Sequence, residues 1–314
     1  MWAISGRQGC SESSKVHGGI DLRISIVIPN FNSGPVLERA LQSLVSQNYP
    51  DLELIMVDSE SDDVSRDIIK RYQTRFSALI IEKDKGQADG LNKGFALATG
   101  DVYGWLCADD ELMPGALRHV AQVFANRPET EALLGACERV YADGSRSVTP
   151  ADTEPWSRIC VQDVIEQVST FWLATLHHRC GPLDTGFHLA FDWDFWCRMA
   201  RQGARITCTD QVLARYYFSD NNKTSRSGDL FAREAFRVIR RYGPLKGRLA
   251  YIYMLLYQYF DLHGCYDKPP TCTRFRGLVF TWVLKILRAT ISTRLVHMYN
   301  WHFASLQQRG KRWW

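Results

Sequence analysis

Residues 24–32 read ISIVIPNFN, in which 24–28 form a run typical of a buried strand that ends at Pro29 and a polar turn. An amphipathic helix is expected next, because Ser33 suits the N-cap position and Pro35 suits the first turn. The predicted buried face of this helix comprises Leu37, Leu41 and Leu44. This part of the sequence therefore predicts a strand followed by a helix.

The same alternation continues along the chain. Further strands are predicted at 52–57, 79–81 and 102–106, and helices near 64–74 and 87–98. Strands joined through helices at this spacing form a mainly parallel sheet with helices on both faces. The predicted fold class is therefore α/β. Because ligands of such sheets bind beyond the carboxyl ends of the strands, the residues that directly follow each strand are the candidates for a site.

After residue 150 the pattern becomes less regular. We expect a helix near 161–168, a turn at 181–184, a helix at 191–201, strand-like pieces at 204–208 and 212–218, and helices at 229–242, 248–262 and 276–293. This divides the chain into a flexible N-terminal segment (1–22), a main domain (23–228) and a helical, basic C-terminal extension (229–314).

The composition is that of a globular protein, since 46% of the 314 residues are hydrophobic and 23% are charged, which excludes a disordered or fibrous chain. The net charge of +4 is too small to indicate a nucleic-acid partner. Residues 243–314, however, hold 11 lysines and arginines against 2 aspartates, a net charge of +9, which leaves −5 on residues 1–242. This basic tail predicts an anionic partner such as a membrane surface.

The expected compartment follows from features that the sequence lacks. The first twenty residues contain no apolar stretch of the signal-peptide kind, and no window has the roughly 20 apolar residues of a spanning helix. The nine cysteines are odd in number and lack metal-ligand or redox spacing, which indicates reduced thiols. We therefore expect a cytoplasmic protein that binds peripherally to the inner face of the cytoplasmic membrane.

An acidic residue directly follows the second predicted strand. A carboxylate at the position of Asp58 can accept hydrogen bonds from a ribose hydroxyl or a base N–H, so a nucleotide contact is expected there. The neighbouring residues have an alternative interpretation, because any of them could cap the following helix; they are Ser61, Asp62 and Asp63.

Three successive acids, Asp109, Asp110 and Glu111, follow the strand predicted at 102–106. Their carboxylates repel one another unless a positive charge lies between them, and a hard divalent cation bridging to phosphate oxygens supplies that charge. The competing interpretation is a solvated loop before the helix expected at Pro114.

A third acidic pair lies in the predicted helix 191–201. Asp192 and Asp194 are two residues apart, so their side chains point in different directions on a helix. One of them can face a ligand site. For Asp194 we favour a structural ion pair with Arg198, four residues later.

Taken together, these segments resemble glycosyltransferase family 2. The matching blocks are 24–32 (ISIVIPNFN), 41–50 (LQSLVSQNYP), 53–63 (ELIMVDSESDD), 84–104 (DKGQADGLNKGFALATGDVYG), 105–114 (WLCADDELMP), 181–184 (GPLD) and 191–198 (FDWDFWCR). They cover about residues 24–220 in the family's order and spacing. The resemblance implies a nucleotide-diphospho-sugar transferase fold of GT-A type in the main domain. It also implies an inverting, metal-dependent transfer of a sugar from a nucleotide-diphospho-sugar to a glycan or lipid-linked acceptor.

The resemblance implies roles for individual residues. Pro29 and Phe31 match the loop that packs on the nucleotide base, and Asp58 matches the carboxylate that hydrogen-bonds the base. Asp109 matches the last acid of the family's Asp-x-Asp motif and would hold Mn²⁺ or Mg²⁺. Cys107 stands where that motif has its first acid, and a thiol is a poor ligand for such cations.

Asp192 matches the acid of the family's Glu-Asp motif and would be the general base, with Phe191 in place of the glutamate. Within 86–94, Asn92 and Gly94 fit the family, whereas Leu91 replaces an arginine that many members have. The remaining residues expected to contact the nucleotide-sugar are Ala108, Asp89 and Lys93.

Other interpretations remain open. A sugar nucleotidyltransferase would need a basic, glycine-rich loop after the first strand, but no lysine or arginine precedes Arg39 there. A nucleotide-sugar-binding protein without catalysis is favoured by Cys107 and opposed by Asp109 and Asp192. A dehydrogenase is less favoured still, since no Gly-x-Gly-x-x-Gly motif follows the strand. The sequence does not indicate an oligomeric state.

Overall fold

The computed structural model describes residues 22–218, 222–223 and 230–244, and beyond them the single positions 248, 278, 282, 285, 286 and 289. The predicted flexible segment 1–22 lies outside this part of the chain except for its last residue. Most of the predicted helices 248–262 and 276–293 also lie outside it, although the six single positions are helical.

Four parallel strands form the N-terminal half of the sheet. They are β1 (Ile24–Asn30), β2 (Leu52–Asp58), β3 (Ala78–Ile81) and β4 (Val102–Trp105). β1 lies between β2 and β4, with Asn30 opposite Asp58 and Val27 opposite Trp105. The carboxyl ends of these strands therefore open at one edge of the sheet, as the sequence predicts.

The C-terminal half mixes strand directions. Its strands are β5 (Glu111–Leu112), β6 (Ala132–Val140), β7 (Arg146–Thr149), β8 (Thr170–Leu173) and β9 (Ile206–Tyr217). The order across the sheet is β3-β2-β1-β4-β8-β6-β9-β5, and β7 pairs with β6. β8 is antiparallel to β4 and β6, whereas β9 runs parallel to β6 over its length.

Helices cover both faces of the sheet, which confirms the predicted α/β class. They are α1 (Gly34–Val45), α2 (Ser65–Tyr72), α3 (Gln87–Phe95), α4 (Ala116–Asn126), α5 (Ala174–Cys180), α6 (Phe191–Arg201) and α7 (Leu230–Tyr242). One buried cluster joins α1, α2 and α4 to the sheet through Ile26, Leu41, Ile68 and Leu117. The other joins α3, α6 and α7 through Val27, Leu91, Trp196 and Val238.

Three local predictions need correction. Residues 161–168 are not a helix; they run irregularly into a short 3₁₀ turn at Gln167–Ser169. The two strand-like pieces 204–208 and 212–218 form one continuous strand, β9. Ser33 does not cap α1 with its side chain, because its hydroxyl donates to the carbonyl of Phe31 (3.2 Å). Asp63 instead accepts the backbone N–H groups of Gly34 and Ser65, both at 2.9 Å, and so caps two helices.

Candidate active site

The predicted nucleotide-binding loops meet at the ends of β1 and β2. Phe31 is 64% exposed, which leaves its ring accessible to a base. Asp58 is fully buried, and its Oδ1 accepts hydrogen bonds from Asn30 Nδ2 (2.6 Å) and Ser61 Oγ (2.5 Å). Its Oδ2 accepts the backbone N–H of Ser61 at 3.0 Å. Asp58 therefore holds the two loops together, and its direct contact with a base stays a prediction.

Pro29 lies in β1 just before this turn and is partly exposed. Asn32, one residue after Phe31, has a φ of 49°, a left-handed conformation that asparagine tolerates. Its Oδ1 accepts the backbone N–H of Asp62 at 3.0 Å. The turn that presents Phe31 is thus fixed by hydrogen bonds to the loop after β2.

The acidic loop after β4 forms a group with the composition of a cation site. The ligand atoms of Cys107, Asp109 and Asp110 all lie within 4.8 Å of one another. Asp110 is 2% exposed, and its Oδ1 has no hydrogen-bond partner among the described residues. Burial raises the pKa of Asp109, and burial together with the neighbouring Asp109 raises the pKa of Asp110 well above its usual range.

An orphaned carboxylate oxygen beside a second carboxylate fits a hard divalent cation, which prefers oxygen ligands. The Cys107 thiol fits such a cation poorly, and burial near Asp110 and Asp109 raises its pKa well above the usual range. Ala108, between Cys107 and Asp109, is 4% exposed. Within the group of three possible ligands, the side-chain oxygen atoms belong to Asp109 and Asp110.

Arg39 of α1 orients the acidic loop, which the sequence did not reveal. Its Nη2 donates to the backbone carbonyl of Asp109 at 2.8 Å, and its Nε pairs with Glu111 Oε1 at 2.8 Å. Its guanidinium stacks 3.6 Å from the ring centroid of Tyr217 on β9. Arg39 thus connects the acidic loop to α1 and to the end of β9.

Asp192 lies in the first turn of α6, and Trp193 donates its backbone N–H to Asp192 Oδ1 at 2.7 Å. Burial, with a smaller contribution from Glu234, raises the pKa of Asp192 to about 6, and Lys223 acts in the opposite direction. Asp163, in the irregular segment before β8, lies close enough that burial and Asp192 raise its pKa well above the usual range. No pattern in the sequence points to Asp163.

Aromatic packing sets the position of α6 relative to the acidic loop. The ring of Trp196 stacks on that of Trp105, with centroids 5.7 Å apart and planes at 3°. Trp105 comes two residues before Cys107, and Trp196 comes four after Asp192. On α7, Glu234 accepts the backbone N–H groups that precede α6, those of His188, Leu189 and Ala190, at 2.8 to 3.0 Å. The candidate base is therefore placed by rigid elements.

Asp194 has the structural role predicted for it. It is 1% exposed, and its Oδ2 pairs with Arg198 Nε at 2.9 Å. Its Oδ1 accepts hydrogen bonds from Arg241 and Tyr242 of α7, both at 2.8 Å. Asp194 therefore joins α6 to α7.

Asp89 and Lys93 lie on α3 and pair with the loop before it. Asp89 Oδ2 accepts the backbone N–H of Lys85 at 3.0 Å, and Lys93 Nζ lies 2.7 Å from Glu82. Their contacts with a donor stay predictions. Packing explains the glycine at position 94, because a Cβ there would lie 2.4 Å from a methyl group of Val27 and would push α3 away from β1.

Within the described part of the chain, the adjacent histidines His177 and His178 belong to no group of potential metal ligands. His177 is 6% exposed, and Trp172 Nε1 lies 3.4 Å from its Nδ1. Burial, together with the charges of His178 and Arg198, lowers its pKa to about 4. From the sequence alone, two adjacent histidines without a third ligand at suitable spacing are expected on the surface or on the acceptor side. That expectation is wrong for His177, which packs against Phe95 and Trp172 in the aromatic core.

The sequence and the fold are both similar to those of known proteins. Residues 25–166 match the family model described as glycosyl transferase family 2. An uncharacterised glycosyltransferase of Nostoc sp. is 31% identical over 199 residues, which are 60% of this chain and 59% of that protein. A Campylobacter jejuni GalNAc(5)-diNAcBac-PP-undecaprenol beta-1,3-glucosyltransferase is 32% identical over 104 residues, 32% of this chain and 34% of that protein.

Among solved structures, the Pyrobaculum calidifontis mannosyltransferase PcManGT, in complex with GDP-Man and Mn²⁺, superposes with a TM-score of 0.58. It is 17% identical, and the match covers 91% of this chain and 86% of that one. The fold is thus that of the GT-A type glycosyltransferases. Residues 25–166 thus match glycosyltransferase family 2, and the curated relatives of the chain are glycosyltransferases.

Proposed function

We propose that this protein transfers a sugar, with inversion, from a nucleotide-diphospho-sugar to a hydroxyl group of a glycan or lipid-linked acceptor. One observation carries the proposal. A carboxylate pair suited to a divalent cation follows β4, and Asp192 lies in the first turn of α6, whose Trp196 stacks on Trp105 of β4.

In the proposed reaction, Asp192 accepts the proton of the acceptor hydroxyl as that oxygen bonds to the anomeric carbon. The bond from this carbon to the phosphate oxygen breaks, and the nucleoside diphosphate leaves with the electron pair. A positioned carboxylate base accelerates such a step by roughly 10²–10⁴-fold. One displacement by one nucleophile inverts the anomeric centre, so no covalent intermediate with the protein is required.

The proposed cofactor is Mn²⁺ or Mg²⁺, held by Asp109 with Asp110 beside it. Such a cation, when bound, stabilises the negative charge of the leaving diphosphate. The nucleotide base would lie against Phe31 and Pro29, with Asp58 shaping the pocket and Asp89, Lys93 and Ala108 near the rest of the donor. The complex of PcManGT with GDP-Man and Mn²⁺ supports a donor and cation of these classes.

The name of one relative supports the proposed class of acceptor. The Campylobacter jejuni relative is named for transfer to an undecaprenol-linked glycan. We extend this to the present chain as a lipid-linked or polysaccharide acceptor, processed at the inner face of the cytoplasmic membrane.

A nucleotide-release assay tests the proposed function. The purified protein is offered UDP-, GDP- and dTDP-sugars with Mn²⁺ or Mg²⁺, together with lipid-linked and free glycan acceptors. Release of one nucleoside diphosphate in step with formation of a glycosylated product is the expected result. Tight donor binding without any release would instead favour the nucleotide-sugar-binding protein that Cys107 leaves open.

We also propose that the C-terminal extension binds anionic membranes. Among the described residues, no helix has the length and apolar character needed to span a bilayer. Leu278, Trp282 and Ile286 are helical, follow one another at four-residue intervals, and are 60%, 64% and 57% exposed. The ammonium group of Lys285 lies 5.5 Å from the Trp282 ring. Apolar side chains beside basic ones suit the interface of an anionic leaflet.

Trp282→Ser should weaken binding to vesicles of anionic phospholipid several-fold, because tryptophan contributes strongly at the membrane interface. Flotation of the full chain with vesicles measures this, and the binding should fall as salt is raised. Val148→Ser is the matched control, since Val148 is 56% exposed but lies on β7. Equal binding by both variants and the wild type would contradict the membrane proposal.

A further inference from the structure

A lysine lies between the acidic loop and the candidate base. Lys223 Nζ donates to the backbone carbonyl of His188 at 2.5 Å and lies 3.5 Å from Gln87 Oε1. The amide nitrogen of the same Gln87 side chain is 3.3 Å from Cys107 Sγ. A single amide group therefore separates the ammonium group of Lys223 from the group that comprises Cys107, Asp109 and Asp110.

Within the described part of the chain, no carboxylate forms an ion pair with Lys223. Burial lowers the pKa of Lys223, whereas the carboxylates of Asp192, Glu234 and Asp84 raise it. The two oxygen atoms nearest its ammonium group belong to an uncharged carbonyl and an amide. The side chain remains exposed to solvent, so an anionic ligand can reach it.

The residue type at position 107 affects how much negative charge lies near the ammonium group of Lys223. A carboxylate at position 107 would face the ammonium group across Gln87 and offset its charge. A thiol is ordinarily protonated at neutral pH, whereas a carboxylate is ionised. A thiol in place of an acid at position 107 therefore removes one negative charge from the surroundings of Lys223.

We propose that Lys223 binds the diphosphate of the donor from the side opposite Asp109, and that it supplies positive charge in a site that has lost one carboxylate. This inference rests on the proposed transfer of a sugar. As the bond between the anomeric carbon and the phosphate oxygen breaks, the electron pair stays on that oxygen, and the ammonium group donates a hydrogen bond to it. Charge-assisted hydrogen bonds of this kind are about twice as strong as neutral ones.

Calorimetric binding of UDP and of GDP, each with Mn²⁺, tests the proposal. Lys223→Gln should weaken binding of the better diphosphate about tenfold or more, whereas Lys223→Arg should retain most of the affinity. Binding of the corresponding nucleoside monophosphate should change much less. Lys70→Gln is the matched control, because Lys70 is an exposed lysine on α2 away from the site.

A double-mutant cycle tests the link to Cys107. In a Cys107→Asp background the new carboxylate offsets the ammonium charge, so Lys223→Gln should weaken diphosphate binding clearly less than in the wild type. Equal losses in both backgrounds would overturn the proposed compensation. Wild-type diphosphate affinity in Lys223→Gln would overturn the role of Lys223 alone. Failure of the wild type to bind either diphosphate would count against the transferase function itself.

Discussion

Asp192→Asn should lower kcat by about 10²–10⁴-fold while leaving the affinity for nucleoside diphosphate nearly unchanged. Asparagine keeps the size of the side chain and can still accept the hydrogen bond from the Trp193 backbone, which is 2.7 Å in length. It cannot take up the proton of an acceptor hydroxyl. The rate of nucleotide release, measured beside calorimetric diphosphate binding, separates loss of the base from loss of the donor site.

The pH dependence of kcat provides a second measurement of the same group. Burial raises the pKa of Asp192 to about 6, with Glu234 raising it, Lys223 lowering it and Asp163 close by. A base acts only when ionised, so kcat should rise about tenfold per pH unit below 6 and level off above about 7. The residual rate of Asp192→Asn should lack this rise.

Asp194→Asn is the natural control, since Asp194 lies two residues away on the same helix. Its carboxylate is 1% exposed and pairs with Arg198, Arg241 and Tyr242, so the substitution should lower the free energy of unfolding by about 3 kcal/mol. The kcat per folded molecule should change little. A severe loss of kcat in Asp194→Asn beside a mild one in Asp192→Asn would show that the base is assigned to the wrong residue.

The sequence predicts the N-terminal half of the fold well because its elements depend on local patterns. Each predicted strand up to residue 106 exists, and the predicted buried face of the first helix is buried at Leu37, Leu41 and Leu44. The predicted helix 191–201 has the same bounds in the structure. The ion pair of Asp194 with Arg198 could also be predicted from the sequence, since four-residue spacing on a helix brings the two side chains together.

The segment 161–168 shows where such patterns mislead. Val161, Ile165 and Val168 recur at helical spacing, and all three are buried, at 5%, 8% and 3% exposure. Tertiary contacts bury these side chains although the backbone is not helical. The helical spacing therefore indicated burial and not secondary structure. The irregular backbone brings Asp163 beside Asp192, which no helical prediction would have done. β6 was also missed, because its first eight residues (ALLGACER) contain no β-branched side chain.

The remaining parts of the site depend on contacts between distant positions. Arg39 and Asp109 are 70 residues apart, and Gln87 and Lys223 are 136 apart. No local pattern marks either pair. The roles of Arg39 and Lys223 can be recognised only when the fold brings α1, the loop after β4 and the residues after β9 together.

Asp109→Asn should reduce turnover by about 10³-fold or more, because the charge stabilisation that a bound cation supplies is worth several kcal/mol. The fold should be unaffected. Burial already raises the pKa of Asp109 and Asp110, and removing one of two neighbouring carboxylates relieves their repulsion. We therefore expect the melting temperature of Asp109→Asn to equal or exceed that of the wild type.

Mn²⁺ affinity, measured by calorimetry in the presence of nucleoside diphosphate, shows whether the loss arises from the cation. Binding should be lost or greatly weakened in Asp109→Asn and retained in Asp67→Asn, a control at an exposed position on α2. Chelation of the wild type with EDTA should reproduce the Asp109→Asn rate, and added Mn²⁺ should restore only the wild type. Full wild-type turnover in EDTA would contradict the cation. It would leave Lys223 and the backbone of the acidic loop to bear the charge of the diphosphate.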